Sequence, residues 1–166
     1  MDIVVLSDTH GRADRVTELM RRTRCSILLF LGDGLRDLNV VRDDVTVRAV
    51  RGNCDFFGED IPTERIEIFG TYRIFMTHGH RYGVKHSLES AVASAANADA
   101  DVLLYGHTHV PFEKTYPVGA LVGGIELKKP LLVLCPGSLG DPRDGQPTFA
   151  TLTLRDNGIL PNIAKF

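Results

Sequence analysis

Five short apolar runs in this chain each stop at a glycine-flanked group of Asp, Asn or His, and this recurrence constrains the fold more than any other feature. Ile3 to Leu6 leads into Ser7-Asp8-Thr9-His10-Gly11, and Ile27 to Leu31 into Gly32-Asp33-Gly34. Val45 to Val50 leads into Arg51-Gly52-Asn53-Cys54-Asp55, and Ile74 to Met76 into Thr77-His78-Gly79-His80. Val102 to Tyr105 leads into Gly106-His107-Thr108-His109. A short apolar run bounded by glycine reads as a buried strand. Glycine allows the sharp strand-to-loop turn that follows. Open sheets hold their ligands beyond such strand ends. Five of the six histidines sit in these stretches, and neutral imidazole offers a metal ion a lone pair near neutral pH.

Between and after these runs the pattern alternates and then changes. Ala13 to Arg24 reads as a helix with Val16, Leu19 and Met20 on one face. Leu35 to Val41 is a short helical candidate. Thr63 to Phe69 alternates as a half-exposed strand, and Gly70-Thr71 makes a hairpin into Tyr72 to Met76. Val84 to Asn97 reads as a second helix. Beyond Pro111 nearly everything is strand-like: Phe112 to Tyr116, Ala120 to Leu127, Leu131 to Cys135 and Thr148 to Leu154, the last clear strand before Asn157-Gly158. The expectation is a four-layer α/β/β/α sandwich, two mixed β-sheets flanked by helices. Residues 1–166 fit one domain by size.

A net charge of −2 leaves no electrostatic footprint for nucleic acid or an anionic membrane. No segment approaches the roughly 20 apolar residues of a bilayer span. Met1-Asp2-Ile3 runs straight into a strand without a signal-peptide pattern. The three cysteines, Cys25, Cys54 and Cys135, make no disulfide framework. These features predict a cytoplasmic protein and leave room for a homo-oligomer.

Asp, Asn and His on several strand ends suit borderline divalent ions, Mn²⁺, Fe²⁺, Ni²⁺ or Zn²⁺. There are too many donors for one ion and about enough for two that share a carboxylate. Two ions roughly 3.5–4 Å apart suit phosphoryl chemistry.

In their order and positions the five blocks resemble those of the calcineurin-like metallophosphoesterases. The later Pro136-Gly137-Ser138 and Pro142-Arg143 resemble its small, cap-less bacterial and archaeal phosphodiesterase branch. The resemblance implies two divalent ions, Mn²⁺ first among the candidates. It implies Asp8, His10 and His109 on one ion, Asn53, His78 and His107 on the other, and Asp33 bridging. The implied reaction is hydrolysis of small phosphodiesters by a hydroxide bound at the dinuclear centre, with His78 and His80 stabilising developing charge. Asp55 is expected to orient the histidines or the Asn53 loop. Without a cap, the loops Phe56 to Ile61 and Ser138 to Gln146 would wall the site.

The chain departs from the common pattern twice. Many phosphomonoesterases of the superfamily carry histidine after the Asn53 position, where this chain has Cys54. Cys54 is either a catalytic neighbour of the leaving group or a small buried filler. Cys135 stands where the cap-less branch commonly has Asn. His80 either contacts the substrate phosphate or is a solvated loop residue, and Arg143 either binds phosphate or sits in a surface ion pair. Arg12 and Arg51 flank the donor loops, and His86 reads as solvated. Rival functions are a phosphomonoesterase acting on nucleotides or phosphoproteins, and a non-catalytic scaffold like the retromer subunit of this fold.

Overall fold

A strand apolar on both faces must be covered on both sides. In β1 (Asp2–Leu6), Ile3 and Val5 join one core, while Val4 and Leu6 join another. The computed structural model describes residues 1–166. After β1 come α1 (Ala13–Arg22), β2 (Ile27–Phe30), a 3₁₀ turn at Leu35–Val40, and β3 (Thr46–Ala49). The hairpin β4 (Glu64–Phe69) and β5 (Tyr72–Thr77) leads through a 3₁₀ turn at His80–Tyr82 to α2 (Glu89–Asn97). The remainder is β6 (Val102–Leu104), β7 (Pro111–Tyr116), β8 (Leu121–Val122), β9 (Ile125–Glu126), β10 (Leu131–Pro136), β11 (Thr148–Arg155) and β12 (Gly158–Lys165).

Ten strands form two mixed sheets, ordered β12-β11-β1-β2-β3 and β4-β5-β6-β10-β7, and β8-β9 is a separate hairpin. Three adjacent strands run parallel in each sheet, β1-β2-β3 up to one edge of the first, with antiparallel β11 beside β1, and β5-β6-β10 in the centre of the second, with antiparallel β4 and β7 on either side. Between the sheets, Ile3, Val5, Leu29 and Leu31 pack against Ile74, Met76, Val102 and Leu104. On the outer faces, Val16, Leu19 and Met20 of α1 cover Val4, Leu6, Leu28 and Phe30, while Ala91, Val92 and Ala95 of α2 cover Phe75, Leu103 and Val133. The fold is the α/β/β/α sandwich of two mixed sheets flanked by helices. Helix α1 starts without a side-chain cap. Its hold is its apolar face, since burying one such side chain contributes about 1.5–3 kcal/mol.

The boundaries differ from expectation where glycine or proline intervenes. The second helix begins at Glu89 and not at Val84, because Gly79 and Gly83 take positive φ of 98° and 62° and break the chain into a short turn first. Helix α1 ends at Arg22, and the next residue is extended. Ala120 to Leu127 is no continuous strand: β8 and β9 have two residues each, around a Gly123-Gly124 turn. Asp156-Asn157 is a hairpin turn into β12, a strand absent from the sequence reading, and Gly158 is that strand's first residue. Pro161 lies within β12, which is tolerated because β12 is an edge strand.

Candidate metal centre

The carboxyl ends of the parallel strands of both sheets meet at one place. From the first sheet, the loop after β1 carries Asp8 and His10, that after β2 Asp33, and that after β3 Asn53. From the second, the segment after β5 carries His78 and that after β6 His107 and His109. Two donor triads result, Asp8/His10/His109 and Asp33/His78/His107, each with its ligand atoms within 4.8 Å of one another. A third group, His10/Asp33/Cys54, meets the same limit and joins the two.

Packing this many donors strains the backbone. Six non-glycine residues have positive φ, and five of them are Asp8, His10, Asp33, His107 and His109. Such conformations cost on the order of 1–3 kcal/mol each and persist where the surroundings enforce them. Close backbone approach adds a constraint at Gly52, where a Cβ would collide with Asp33 Oδ1.

The ring orientations identify what belongs between the donors. His109 Nδ1 lies 2.6 Å from the Asp141 carbonyl oxygen, so it carries the proton. Its Nε2 faces Asp8 Oδ1, 3.1 Å away. His78 repeats the device: Nδ1 is 2.7 Å from the Leu31 carbonyl. Its Nε2 faces Asp33 Oδ2 at 3.3 Å, Asn53 Oδ1 at 3.2 Å and His107 Nδ1 at 3.2 Å. Such outer partners fix the tautomer of metal-binding imidazoles. Asp8 Oδ2 accepts from Ser7 Oγ and from the His107 N–H at 3.0 Å, whereas the buried Oδ1 accepts no hydrogen bond. Carboxylate oxygens and imidazole nitrogens that converge in this way, with Asp8 Oδ1 buried and unpartnered, fit divalent ions.

Proton affinities carry the same signature. Burial pushes the Asp8 carboxyl up, but contacts from His10 and His109 outweigh it and hold the group well below the usual carboxylate range. Burial also pushes Asp33 up, and His78 outweighs it, leaving Asp33 lowered. The Asp8 contact raises His10. Burial lowers His78, but the Asp33 contact and the charges of Asp8 and Asp33 raise it overall. His107 is held down to about 4 by burial and by His78, so it is free of a second proton at neutral pH.

The other sequence candidates fall into distinct places. Asp55 lies beneath the donors: its carboxylate accepts the backbone N–H groups of Asp33, Gly34, Leu35 and Gly52 at 2.8–2.9 Å. Cys54 is exposed, which overturns the buried-filler reading. Its N–H donates to Asp33 Oδ1 at 2.7 Å, and Asn53 Nδ2 donates to its Sγ at 3.2 Å. His80 is half-buried, its Nδ1 unpartnered and its ring centroid 5.4 Å from that of His78. The Arg143 side chain is exposed, and its backbone N–H reaches His109 O at 3.3 Å. Arg12 pairs with Asp14 at 2.7 Å, and His86 is exposed. Cys25 and Cys135 are buried.

Two supports escaped the sequence reading. Asp37, buried, accepts from Thr9 Oγ1 at 2.5 Å and the Gly11 N–H at 2.9 Å, pinning the Asp8–His10 loop. Ser138 Oγ donates to the Asp8 carbonyl at 2.7 Å and accepts the Asp141 N–H at 2.7 Å. The Pro-Gly-Ser block was a signal for Ser138, whereas nothing local distinguishes Asp37 from other acidic residues.

Comparison with known proteins agrees with this geometry. Residues 1–157 match the calcineurin-like phosphoesterase superfamily domain. Phosphodiesterase YfcE of Escherichia coli (strain K12) is 30% identical over 193 aligned positions, covering 99% of this chain and 92% of that protein. A predicted phosphoesterase from Streptococcus pneumoniae TIGR4 superposes with a TM-score of 0.76 at 26% identity, over 99% of this chain and 88% of that one. Vps29 of Chaetomium thermophilum shares the fold, with a TM-score of 0.73 at 19% identity over 100% of this chain and 95% of that one. The chain therefore belongs to the calcineurin-like phosphoesterase superfamily, whose members use divalent metals.

Proposed function

We propose that the chain is a phosphodiesterase that holds two divalent ions, Mn²⁺ first among the candidates, and hydrolyses small phosphodiesters. The observation that carries this reading is the pair of donor triads meeting at Asp33, whose Oδ2 lies 3.3 Å from His78 Nε2 and 4.0 Å from His10 Nε2. In this reading Asp8, His10 and His109 hold one ion, Asn53, His78 and His107 the other, and Asp33 serves both. Such a pair of ions supplies charge neutralisation and a water-derived nucleophile at neutral pH. Mixed carboxylate, amide and imidazole donors suit Mn²⁺ better than the thiolate-rich sites of softer metals.

The remaining groups act around that pair. Burial, followed by the charge of His78, lowers the pKa of His80, so its neutral ring donates one hydrogen bond to a phosphate oxygen. Asp55 keeps the Asp33 and Gly52 loops in register. Cys54 stands where a leaving group departs, and its neutral thiol is a weak proton donor. Three free cysteines, one of them exposed beside the donors, suit a reducing cytoplasm. No helix is long and apolar enough to cross a membrane.

A scaffold of this fold has no need of converging lone pairs, whereas this chain has a competent donor at every ligand position; that favours the enzyme. Metal analysis of the purified protein should give close to two ions per chain, and chelation should abolish hydrolysis of bis(p-nitrophenyl) phosphate. Full turnover without metal would sink the reading. Nanomolar affinity for a folded protein partner without turnover of any phosphoester would favour the scaffold.

Ion uptake should also depend on pH in a defined direction. His10 and His78 have raised pKa values, so each keeps its proton to higher pH than a free imidazole. An incoming ion must displace those protons. Affinity should therefore be greatest above the raised histidine pKa values and fall as pH drops through them. Titrations of Mn²⁺ at pH 8 and pH 6 check this, and equal affinity at both would contradict it.

A further inference from the structure

We propose that the hollow beside the donors is a subsite for a flat aromatic group carried on the substrate phosphorus; the proposal rests on the phosphodiesterase reading. The hollow has a volume of about 300 Å³, and His10, Asp33, Cys54, Arg36, Phe56 and Phe57 are among the residues that line it. Another hollow of about 300 Å³, beside Asn97 and Lys129, is lined by none of these donors. A group held in the first one is within reach of a phosphorus bound at the ions.

The lining points to the chemistry of the occupant. Phe56 and Phe57 are 81% and 65% exposed. Two adjacent exposed phenyl rings at the mouth of a polar site mark a binding surface. The Arg36 guanidinium lies over the Phe57 ring, 3.9 Å from its centroid. This cation–π stack presents a flat, positively charged plate. Planar aromatic rings stack on such surfaces regardless of their substituents, and the positive charge suits a phosphodiester anion. An alkyl chain gains nothing from the flat geometry.

The plate is also registered to the ions. Arg36 lies two residues beyond Gly34, and Phe56 follows Asp55. The Asp55 carboxylate ties the two segments together through the N–H groups of Asp33, Gly34 and Leu35 at 2.8–2.9 Å. One half-buried anchor thus sets the distance between a ligand of both ions and the stacking surface. Pre-organisation of this kind lowers the ordering cost of binding.

The test uses inert phosphonates titrated calorimetrically into the Mn²⁺-loaded full chain. Phenylphosphonate should bind about tenfold tighter than methylphosphonate, the usual scale of one ring stack. Phe57→Ala should abolish that preference and leave methylphosphonate affinity unchanged, and Phe57→Tyr should restore it. Both changes fall on an exposed ring, so the fold is not at issue. An adenosine 5′-phosphonate distinguishes the source of the ring: tighter binding than phenylphosphonate assigns the subsite to a nucleobase, and weaker binding assigns it to a simple aryl group. A chain that hydrolyses diesters yet binds the phenyl and methyl compounds equally overturns the subsite alone. So does a preference that survives Phe57→Ala. A chain that binds neither phosphonate and turns over no diester overturns the function and the subsite with it.

Discussion

Asp33→Ala is expected to strip the chain of both ions and to lower diester hydrolysis by on the order of 10³-fold, equivalent to about 4 kcal/mol of lost transition-state stabilisation. The reason is position. Asp33 Oδ2 faces His78 Nε2 at 3.3 Å and His10 Nε2 at 4.0 Å, one from each triad. Its Oδ1 accepts the Cys54 N–H at 2.7 Å. Removing the carboxylate deletes a ligand common to both ions and frees the loop that carries Asn53. His10→Ala deletes one donor of one triad, and its ring is the more exposed, so one ion should be retained. Metal content of the two variants, measured side by side after dialysis, checks the ranking. Asp33→Asn adds a control, because an amide oxygen still accepts the Cys54 N–H while the charge is gone. A metal-replete, fully active Asp33→Ala would refute the shared-ligand reading.

How much of this was legible in the sequence depends on how local the cause is. The strands β2, β6 and β10 are apolar throughout and β1 is apolar after Asp2, so composition alone reveals them, while the glycine-flanked donors that end β1, β2 and β6 reveal the site. The all-buried pattern of β10, Leu131 to Pro136, is one example. Strand β12 is not legible because three of its eight residues are exposed, two of them polar, and Pro161 interrupts it; its pairing with β11 is a tertiary fact. The start of α2 was misjudged because Gly83 adopts a left-handed conformation that helical spacing does not encode. At the site, the seven predicted metal-donor residues converge on one edge, since each sits within a few residues of a strand end. The residues that hold those loops in place are another matter. Asp37 reaches Thr9 and Gly11 across more than 25 positions, and the Arg36–Phe57 stack joins two loops. Such contacts exist only once the strands are ordered side by side, and no local pattern announces them.

Cys54→His should raise phosphomonoesterase activity on the order of 10²-fold, the contribution expected of one general acid. Hydrolysis ends with an oxygen anion leaving, and an alkoxide must be protonated as it departs. The native thiol is poorly suited to that task. Burial, followed by contact with Asp33 and the charges of Asp33, Asp55 and Asp8, pushes it up to about 11, far from the near-neutral pKa that general-acid catalysis favours. The residue is nevertheless well sited: exposed, at the rim of the hollow, with Sγ among the donors His10 and Asp33. An imidazolium there would face the same carboxylates, which favour its protonated form. Activated aryl diesters, whose leaving groups need little protonation, should gain far less. The measurement is the ratio of kcat/KM for an alkyl monoester to that for bis(p-nitrophenyl) phosphate, in wild type and Cys54→His, at equal metal occupancy. Equal occupancy matters because an added imidazole at this position is also a ligand for divalent ions. A ratio that stays constant would mean that the side chain at position 54 does not meet the leaving group, and that substrate preference is set by the walls of the site instead.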